Sequence, residues 1–374
     1  MKKNVYFFNR IKGFYRGQYS LKYFKDKFLQ YNVIYTDDDF FHKTSKGLFS
    51  IFGRILGILF KKRAIQNADI IWIPAMGYAA TREWKLIKKS NAYVILDYYV
   101  SQYENLTNEF KTIEKDSMEG KKLRDTEVDF LKRADLTFFL TNAERSYFLS
   151  YLDLRPDEIK SEILPLVVDR RRKAILPFAN GLSPRPVLAW WGTNLPLHGL
   201  STLISGLHLL KKRGIDFLFY LIINNETRGA DNDSLFQQVH DLGLENNVIY
   251  QHQFSLHDFS LEDFLIEKVD LALGSFGGTR KGQVVFMNKI ADAVSMSLPC
   301  FTEYSDGLRE FLVPGEHIFC CHANPESICG GLYEVLTHPG ELGRISTSLD
   351  YIYETEFSPN AFYKRLNSKL YLKT

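Results

Sequence analysis

An apolar run followed by a glycine-containing turn opens the second half of the chain. The run is VLAWW at positions 187–191, and the turn is GTNLPLHG at positions 192–199. The turn leads into a predicted helix over 201–213, whose apolar positions share one face and whose last turn is basic. A buried strand, a tight turn and an amphipathic helix in this order are typical of one βα unit in a parallel sheet.

The same alternation of short apolar runs and amphipathic stretches covers the whole chain. It weakens only over 175–186, where proline, glycine and serine are concentrated and a linker is predicted. The pattern therefore predicts an α/β fold class with two doubly wound, Rossmann-like domains. Strands are predicted at 4–8, 33–35, 70–73, 93–96, 136–140, 187–191, 217–223, 248–251, 271–273 and 300–302.

Composition excludes several classes of protein. The 374 residues include 47 basic and 44 acidic side chains, so the net charge of +3 is too small and too mixed to indicate nucleic-acid binding. No signal peptide and no run of 18 apolar residues is found, and none of the 4 cysteines forms a C-x-x-C pair. We therefore expect a cytoplasmic protein with reduced cysteines and no zinc site.

The turn after the 187–191 run has the composition of an anion site. Gly192 permits a tight turn, and Thr193, His198 and the backbone amides from Gly199 onward can face an anion at the start of the helix. Histidine adds a proton donor. An ordinary strand-to-helix turn with a capping histidine is the alternative.

A second loop combines glycines with cations. The stretch LGSFGGTRKGQ at 273–283 follows a predicted strand and precedes a helix. Glycines such as Gly277 allow close backbone approach. The cations Arg280, Lys281 and Lys289 can neutralise a diphosphate, and Asp292 can accept hydrogen bonds from sugar hydroxyls. A solvated basic loop is the alternative. Because both loops belong to one doubly wound domain, we expect them at the same edge of one sheet.

These two stretches resemble the nucleotide-sugar-binding signatures of glycosyltransferase family 4. The resembling segments are PLHG at 196–199, LGSFG at 273–277, NKIADA at 288–293, LPC at 298–300 and GLREF at 307–311, with looser similarity in DYYVSQY at 97–103 and TNAER at 141–145. The resemblance implies a GT-B fold, in which two Rossmann-like domains face each other across a cleft and the C-terminal helix crosses back to the first. It implies an acceptor-binding domain over 1–180, a nucleotide-sugar-binding domain over 181–355 and a C-terminal helix over 356–374.

The resemblance also implies the chemistry. Such enzymes are retaining, metal-independent glycosyltransferases that need no cofactor besides the nucleotide-sugar substrate, and a basic loop stabilises the diphosphate leaving group. His198 and Lys281 then act at the leaving group, and Asp292 stands where the family binds ribose with glutamate. The sequence departs from the family at Val284, in place of a glutamate, and at Met287, in place of a proline. A non-catalytic protein that binds nucleotide sugars or glycans is therefore the alternative function.

The first half supplies candidate acceptor residues. Gly13 and Gly17 follow the first strand, where the family has a glycine-rich acceptor loop, although a plain strand-to-helix connection has the same composition. Asp97 and Ser101 follow a predicted strand, and Asp97 can orient or deprotonate an acceptor hydroxyl. A helix-capping aspartate is the alternative.

Two further segments have a functional and a structural interpretation. The triplet Asp37-Asp38-Asp39 has the composition of a divalent-metal site in another class of glycosyltransferase, but an exposed turn is favoured and no metal is expected. The run LFSIFGRILGILF at 48–60 ends in three cations at 61–63 and fits either a buried helix or a helix on the inner face of the cell membrane. The expected partners are a nucleotide-sugar donor and a glycan or lipid-linked acceptor, with peripheral membrane contact left open.

Overall fold

The structure is a computed structural model that describes residues 2–8, 15–27, 29–35, 58–75, 83–223, 232–251, 254 and 259–370. The chain forms two compact units, Met1–Val167 with Tyr363–Thr374, and Val168–Phe362. The division comes before the proline- and glycine-rich segment 175–186, which lies within the second unit.

The first unit contains a six-stranded sheet in the order β2-β1-β3-β4-β5-β6, with all neighbouring strands parallel. Burial of both faces explains its apolar and aromatic strands. On one face Trp72 stacks between Phe7 and Phe138, with ring centroids 5.6 and 5.8 Å away. The strands are β1 Lys3–Phe7, β2 Tyr31–Tyr35, β3 Ile70–Ile73, β4 Tyr93–Asp97, β5 Leu136–Phe139 and β6 Ser161–Ile163.

Helices alternate with these strands. The end of the C-terminal helix belongs to this unit, where Asn367 accepts a 2.8 Å hydrogen bond from Tyr23 and Lys369 pairs with Glu162 at 2.6 Å. The α-helices are Tyr15–Asp26, 58–66, Trp84–Lys89, Gln102–Glu104, Met118–Arg133 and Asn142–Tyr151, with a π-helical turn at Asn105–Glu109.

The second unit repeats the architecture. Its six strands run in the order β12-β11-β10-β7-β8-β9 and are all parallel. The strands are β7 Val187–Gly192, β8 Leu218–Ile223, β9 Val248–Gln251, β10 Leu271–Leu273, β11 Cys300–Glu303 and β12 Phe319–Cys321. The α-helices are Leu200–Lys212, Asn232–Asp241, Ser260–Lys268, Asn288–Ser295, Asp306–Arg309, Pro325–Thr337 and Gly340–Ile352, followed by Pro359–Leu370, which ends in the first unit.

The strand order fixes where a ligand is expected in the second unit. From β7 the chain winds in one direction through β8 and β9, and then in the other direction through β10, β11 and β12. The order therefore reverses between β7 and β10, and doubly wound sheets bind ligands at the carboxyl ends of the strands beside such a reversal. Both glycine loops singled out in the sequence follow these two strands. The predicted α/β, doubly wound fold class is confirmed, whereas β6 and β12, which are edge strands, were not predicted.

Candidate functional site

The first loop of the site connects β7 to the helix Leu200–Lys212. β7 ends at Gly192, whose φ of +133° lies outside the range that other residues readily adopt. Pro196 then starts a short 3₁₀ turn, Pro196–His198, and Gly199 takes a left-handed conformation with φ +58° before the helix begins. Thr193 lies half-buried between these glycines. The loop therefore ends at a helix N-terminus, where backbone amides lack partners within the helix.

The second loop follows β10 and lies directly against the first. The Phe276 amide donates a 3.0 Å hydrogen bond to the His198 carbonyl. A Cβ atom on Gly199 would lie 2.2 Å from the Phe276 carbonyl oxygen, and one on Gly277 would lie 2.5 Å from the Leu197 carbonyl oxygen. Both positions therefore require glycine, and the structure brings the two predicted loops together.

Lys289 supplies a buried cation beside these loops. It belongs to the helix Asn288–Ser295 and is only 6% exposed. Its Nζ lies 3.6 Å from the centroid of the Trp190 ring and has no hydrogen-bond partner among the described residues. A Cβ on Gly192 would lie 4.0 Å from this Nζ, so the ammonium and the first loop are neighbours. Burial lowers the pKa of Lys289 well below its ordinary value, and the Asp292 carboxylate one turn later opposes this effect only in part.

His198 occupies the junction of the two loops. Its Nδ1 lies 3.0 Å from the Ser275 hydroxyl, and its ring meets the Trp190 ring edge to face at 5.3 Å. The Ser275 hydroxyl donates to the Met287 sulfur at 2.5 Å, so it is available to accept from a protonated Nδ1. Burial and the charges of Lys289 and Lys281 hold the pKa of His198 well below its usual range. Lys281 is itself 8% exposed.

The second unit also contains a functional candidate that the sequence analysis missed. Glu303 ends β11, is 3% exposed, and accepts a 3.0 Å hydrogen bond from the amide of Gly278 in the second loop. Burial raises its pKa, and the backbone donors Gly278 and Gly277 oppose this rise. Gly278 and Glu303 also line a cavity of about 560 Å³. The available signal was the position of Glu303, an acid at the end of an apolar parallel strand.

In the first unit, Asp97 lies in a buried ion pair. It is 1% exposed at the end of β4, and its carboxylate accepts from Arg16, which is fully buried. Arg16 also donates to the carbonyl of Phe138 at 3.2 Å and to that of Leu164. Burial raises the pKa of Asp97, and the Arg16 guanidinium opposes that rise. Asp97 therefore joins the helix Tyr15–Asp26 to the sheet, and neither a cap nor an exposed base describes its contacts.

Of the remaining candidates of the first half, some lie within the described residues and others do not. Ser101 is buried and caps the helix Gln102–Glu104 by accepting from the Glu104 amide at 3.0 Å. Its hydroxyl donates to Glu127 at 2.7 Å. Gly17 is buried within the helix Tyr15–Asp26. Gly13, the Asp37-Asp38-Asp39 triplet and residues 48–57 lie outside the described residues.

The described residues include no helix long and apolar enough to cross a membrane and no group of three or more potential metal ligands. The cysteines are free, three of them are buried, and burial raises the pKa of Cys321 to about 12.

Solved structures share the fold of this chain. No protein-family model and no curated protein matches it by sequence. Sucrose-phosphate synthase from Thermosynechococcus elongatus is similar with a TM-score of 0.72, 11% identity and 100% of each chain covered. Anabaena HepE in complex with UDP and glucose is similar with a TM-score of 0.71, 13% identity and 100% of each chain covered. The lipopolysaccharide outer core galactosyltransferase WaaB is similar with a TM-score of 0.62, 14% identity and 100% of each chain covered. The fold is therefore that of the GT-B glycosyltransferases.

Proposed function

We propose that this chain is a retaining glycosyltransferase of the family 4 type, which transfers a sugar from a nucleotide-sugar donor to a glycan or lipid-linked acceptor in surface polysaccharide synthesis. One observation carries the proposal. Lys289 holds a buried ammonium without a hydrogen-bond partner among the described residues, beside Gly192 and at the sheet edge where the two loops meet. A buried cation of this kind destabilises a protein unless an anion binds it. A diphosphate is the anion that this site fits best.

In the proposed reaction, the second unit binds the donor and stabilises its leaving group. The bond from the anomeric carbon to the diphosphate breaks, and its electron pair goes to the diphosphate oxygen. The acceptor oxygen bonds to the anomeric carbon, and its proton goes to the departing phosphate. Lys281 and Lys289 neutralise the charge that develops on the diphosphate, with support from the amide of Leu200 at the start of the helix Leu200–Lys212.

His198 and Asp292 complete the proposed donor site. Without a ligand, burial and the two nearby lysines hold the pKa of His198 well below its usual range. A bound diphosphate offsets those charges, so His198 then takes up a proton and donates to a phosphate oxygen. Asp292, half-buried one turn after Lys289, is proposed to accept from the ribose hydroxyls. Because lysines supply the positive charge, we propose that the reaction needs neither a metal nor another cofactor.

The first unit is proposed to bind the acceptor. Gly17 lies near the start of the helix Tyr15–Asp26, where the buried Arg16 fixes the helix to β4 and β5. In this proposal Asp97 and Ser101 shape the acceptor site through Arg16 and Glu127, respectively.

We also propose that the first unit touches the inner face of the cell membrane. The helix over 58–66 leaves Ile58, Leu59 and Phe60 more than half exposed, and the exposed Lys62 and Arg63 follow them. Apolar side chains next to cations favour an anionic lipid surface. Such a location would place the enzyme beside a lipid-linked acceptor. Co-sedimentation with vesicles containing anionic lipid tests this; equal binding by a variant with serine at positions 58–60 would contradict it.

Calorimetry followed by a product assay tests the donor assignment. UDP-sugars come first in the panel, since HepE, which is similar in fold, was solved with UDP and glucose. We expect one nucleotide sugar to bind, and His198→Ala and Lys281→Ala each to lower turnover by about one to two orders of magnitude while the protein stays folded. Unchanged turnover in both variants would refute the assignment. Binding without product supports the non-catalytic alternative, and loss of activity in excess chelator would overturn metal independence.

A further inference from the structure

The second loop rests on one buried carboxyl group. The side chain of Glu303 lies beneath residues 277–282, where Oε2 accepts a 3.0 Å hydrogen bond from the Gly278 amide. A Cβ on Gly282 would lie 2.7 Å from Oε1 of the same side chain. Glu303 therefore contacts both ends of the loop that carries Lys281.

Backbone hydrogen bonds also connect the end of β11 and the residues after it to the chain on either side of the second loop. The Glu303 amide donates to the Ser275 carbonyl at 2.8 Å, and the Asp306 amide donates to the Gln283 carbonyl at 2.7 Å. Inside the loop, the Gly282 amide donates to the Thr279 hydroxyl at 3.0 Å. The amides of Glu303 and Asp306 thus hold the chain before and after the loop, and the Glu303 carboxyl group contacts the two ends of the loop itself.

The second loop packs in turn against the first loop. Gly277 packs against the Leu197 carbonyl so closely that a Cβ would lie 2.5 Å from it, and Phe276 hydrogen-bonds to His198. A displacement at Glu303 would therefore move His198 and Lys281 together.

We infer that Glu303 is a positioning residue, which holds the Gly277–Gly282 loop in the conformation that binds the donor diphosphate. This inference rests on the proposed function, since it assigns the loop to the diphosphate. In this arrangement Glu303 acts through the loop, because Oε2 is hydrogen-bonded to the Gly278 amide and Oε1 lies against Gly282.

The variants that test this are Glu303→Ala and Glu303→Gln. Alanine removes the acceptor for the Gly278 amide and leaves a space beneath the loop. Glutamine keeps the size of the side chain and one oxygen that can accept from that amide, so it should restore most of the lost function. The matched control is Asp270→Asn. Asp270 is also a buried carboxylate that accepts from two backbone amides, Phe178 at 2.7 Å and Val187 at 3.0 Å, but it precedes β10 at the opposite end of that strand.

Two measurements are made on each folded variant. Hydrogen–deuterium exchange of the ligand-free protein reports the order of residues 277–282. Calorimetry with inorganic pyrophosphate, the part common to nucleoside diphosphates, reports the affinity of the site. We expect Glu303→Ala to exchange faster in the loop and to bind pyrophosphate about tenfold more weakly, as loss of one hydrogen bond to an ordered group would give. We expect Glu303→Gln to lie close to the wild type.

Unchanged loop exchange in a folded Glu303→Ala protein would overturn the inference. So would an equal loss of pyrophosphate affinity in Asp270→Asn, because the effect would then follow general stability. Failure of the wild type to bind pyrophosphate or any nucleotide sugar would instead reject the proposed function. The exchange measurement would still decide whether Glu303 orders the loop.

Discussion

Replacing Lys289 by methionine should separate ligand binding from stability. The ammonium is 6% exposed and has no hydrogen-bond partner among the described residues, and the Trp190 ring 3.6 Å away is its close cation–π neighbour. A hydrogen bond to a charged group contributes about 1.5–3 kcal/mol. Methionine has a similar length and no charge. We therefore expect Lys289→Met to weaken donor or pyrophosphate binding by about ten- to a hundredfold.

The same substitution should not destabilise the ligand-free protein. Burial lowers the pKa of Lys289 from its ordinary 10.5, which means that folding disfavours the charged form. At pH 7 the unfolded chain binds this proton at least as strongly as the folded protein. The free energy of unfolding of the wild type should therefore rise with pH between the lowered pKa and 10.5, by about 1.4 kcal/mol per unit of pKa shift.

Denaturant unfolding over this pH range tests the second expectation. Lys289→Met should be as stable as the wild type or more stable at pH 7, and the difference should shrink as the pH rises toward 10.5. Lys268→Met, at an exposed position of the same unit, should change neither stability nor binding. A large loss of stability in Lys289→Met at neutral pH, or unchanged pyrophosphate affinity, would refute the reasoning.

Three further predictions follow from other parts of the structure. Gly199→Ala should abolish donor binding because its Cβ would lie 2.2 Å from the Phe276 oxygen, whereas Gly243→Ala, also at positive φ but with open space around it, should only destabilise by about 1–2 kcal/mol in thermal unfolding. Near pH 6, His198 should take up a proton when pyrophosphate binds, because the anion raises the lowered pKa of this side chain. Calorimetry in buffers of different ionisation enthalpy measures the proton uptake, which His198→Ala should lose. Arg16→Met should destabilise the protein by about 3–5 kcal/mol by leaving the Asp97 carboxylate buried and unpaired, and Asp97→Asn in the same chain should recover part of the loss.

The interior strands could be read from the sequence because their signal is local. The interior strands β3 and β10 begin and end where the apolar runs at 70–73 and 271–273 do. The edge strand β9 likewise matches the apolar run at 248–251. The edge strands β6 and β12 could not be found, because each is defined by its pairing with a neighbouring strand, β5 or β11. The start of the first helix, Tyr15–Asp26, could not be predicted either, since Arg16 near its start is fixed by groups far along the chain.

The site shows the same limit. Gly199 and Gly277 indicate a turn or a close backbone approach already at the level of the sequence, so the two loops could be predicted. The partners of the charged residues could not be predicted, because they depend on which strands are neighbours in the sheet. Glu303 reaches the second loop only since β11 lies beside β10, and Arg16 meets Asp97 across 81 positions of sequence. A polar residue after a strand therefore predicts a position at the sheet edge, but not whether it meets a ligand or another side chain.

The burial of Lys281 and Lys289 argues against the solvated basic loop that the sequence left open as an alternative. A solvated basic loop would expose its lysines, as it does the Arg280 side chain, which is 66% exposed and pairs with Asp306 at 4.0 Å. Lys281 and Lys289 are instead 8% and 6% exposed, and burial together with their charges lowers the pKa of the neighbouring His198. Such an arrangement lowers the stability of the ligand-free protein, and a structural role alone gives no compensating contact for the Lys289 ammonium. An anion bound between the two loops would stabilise both lysines and favour protonation of His198, which is why we propose that this site binds a phosphate group.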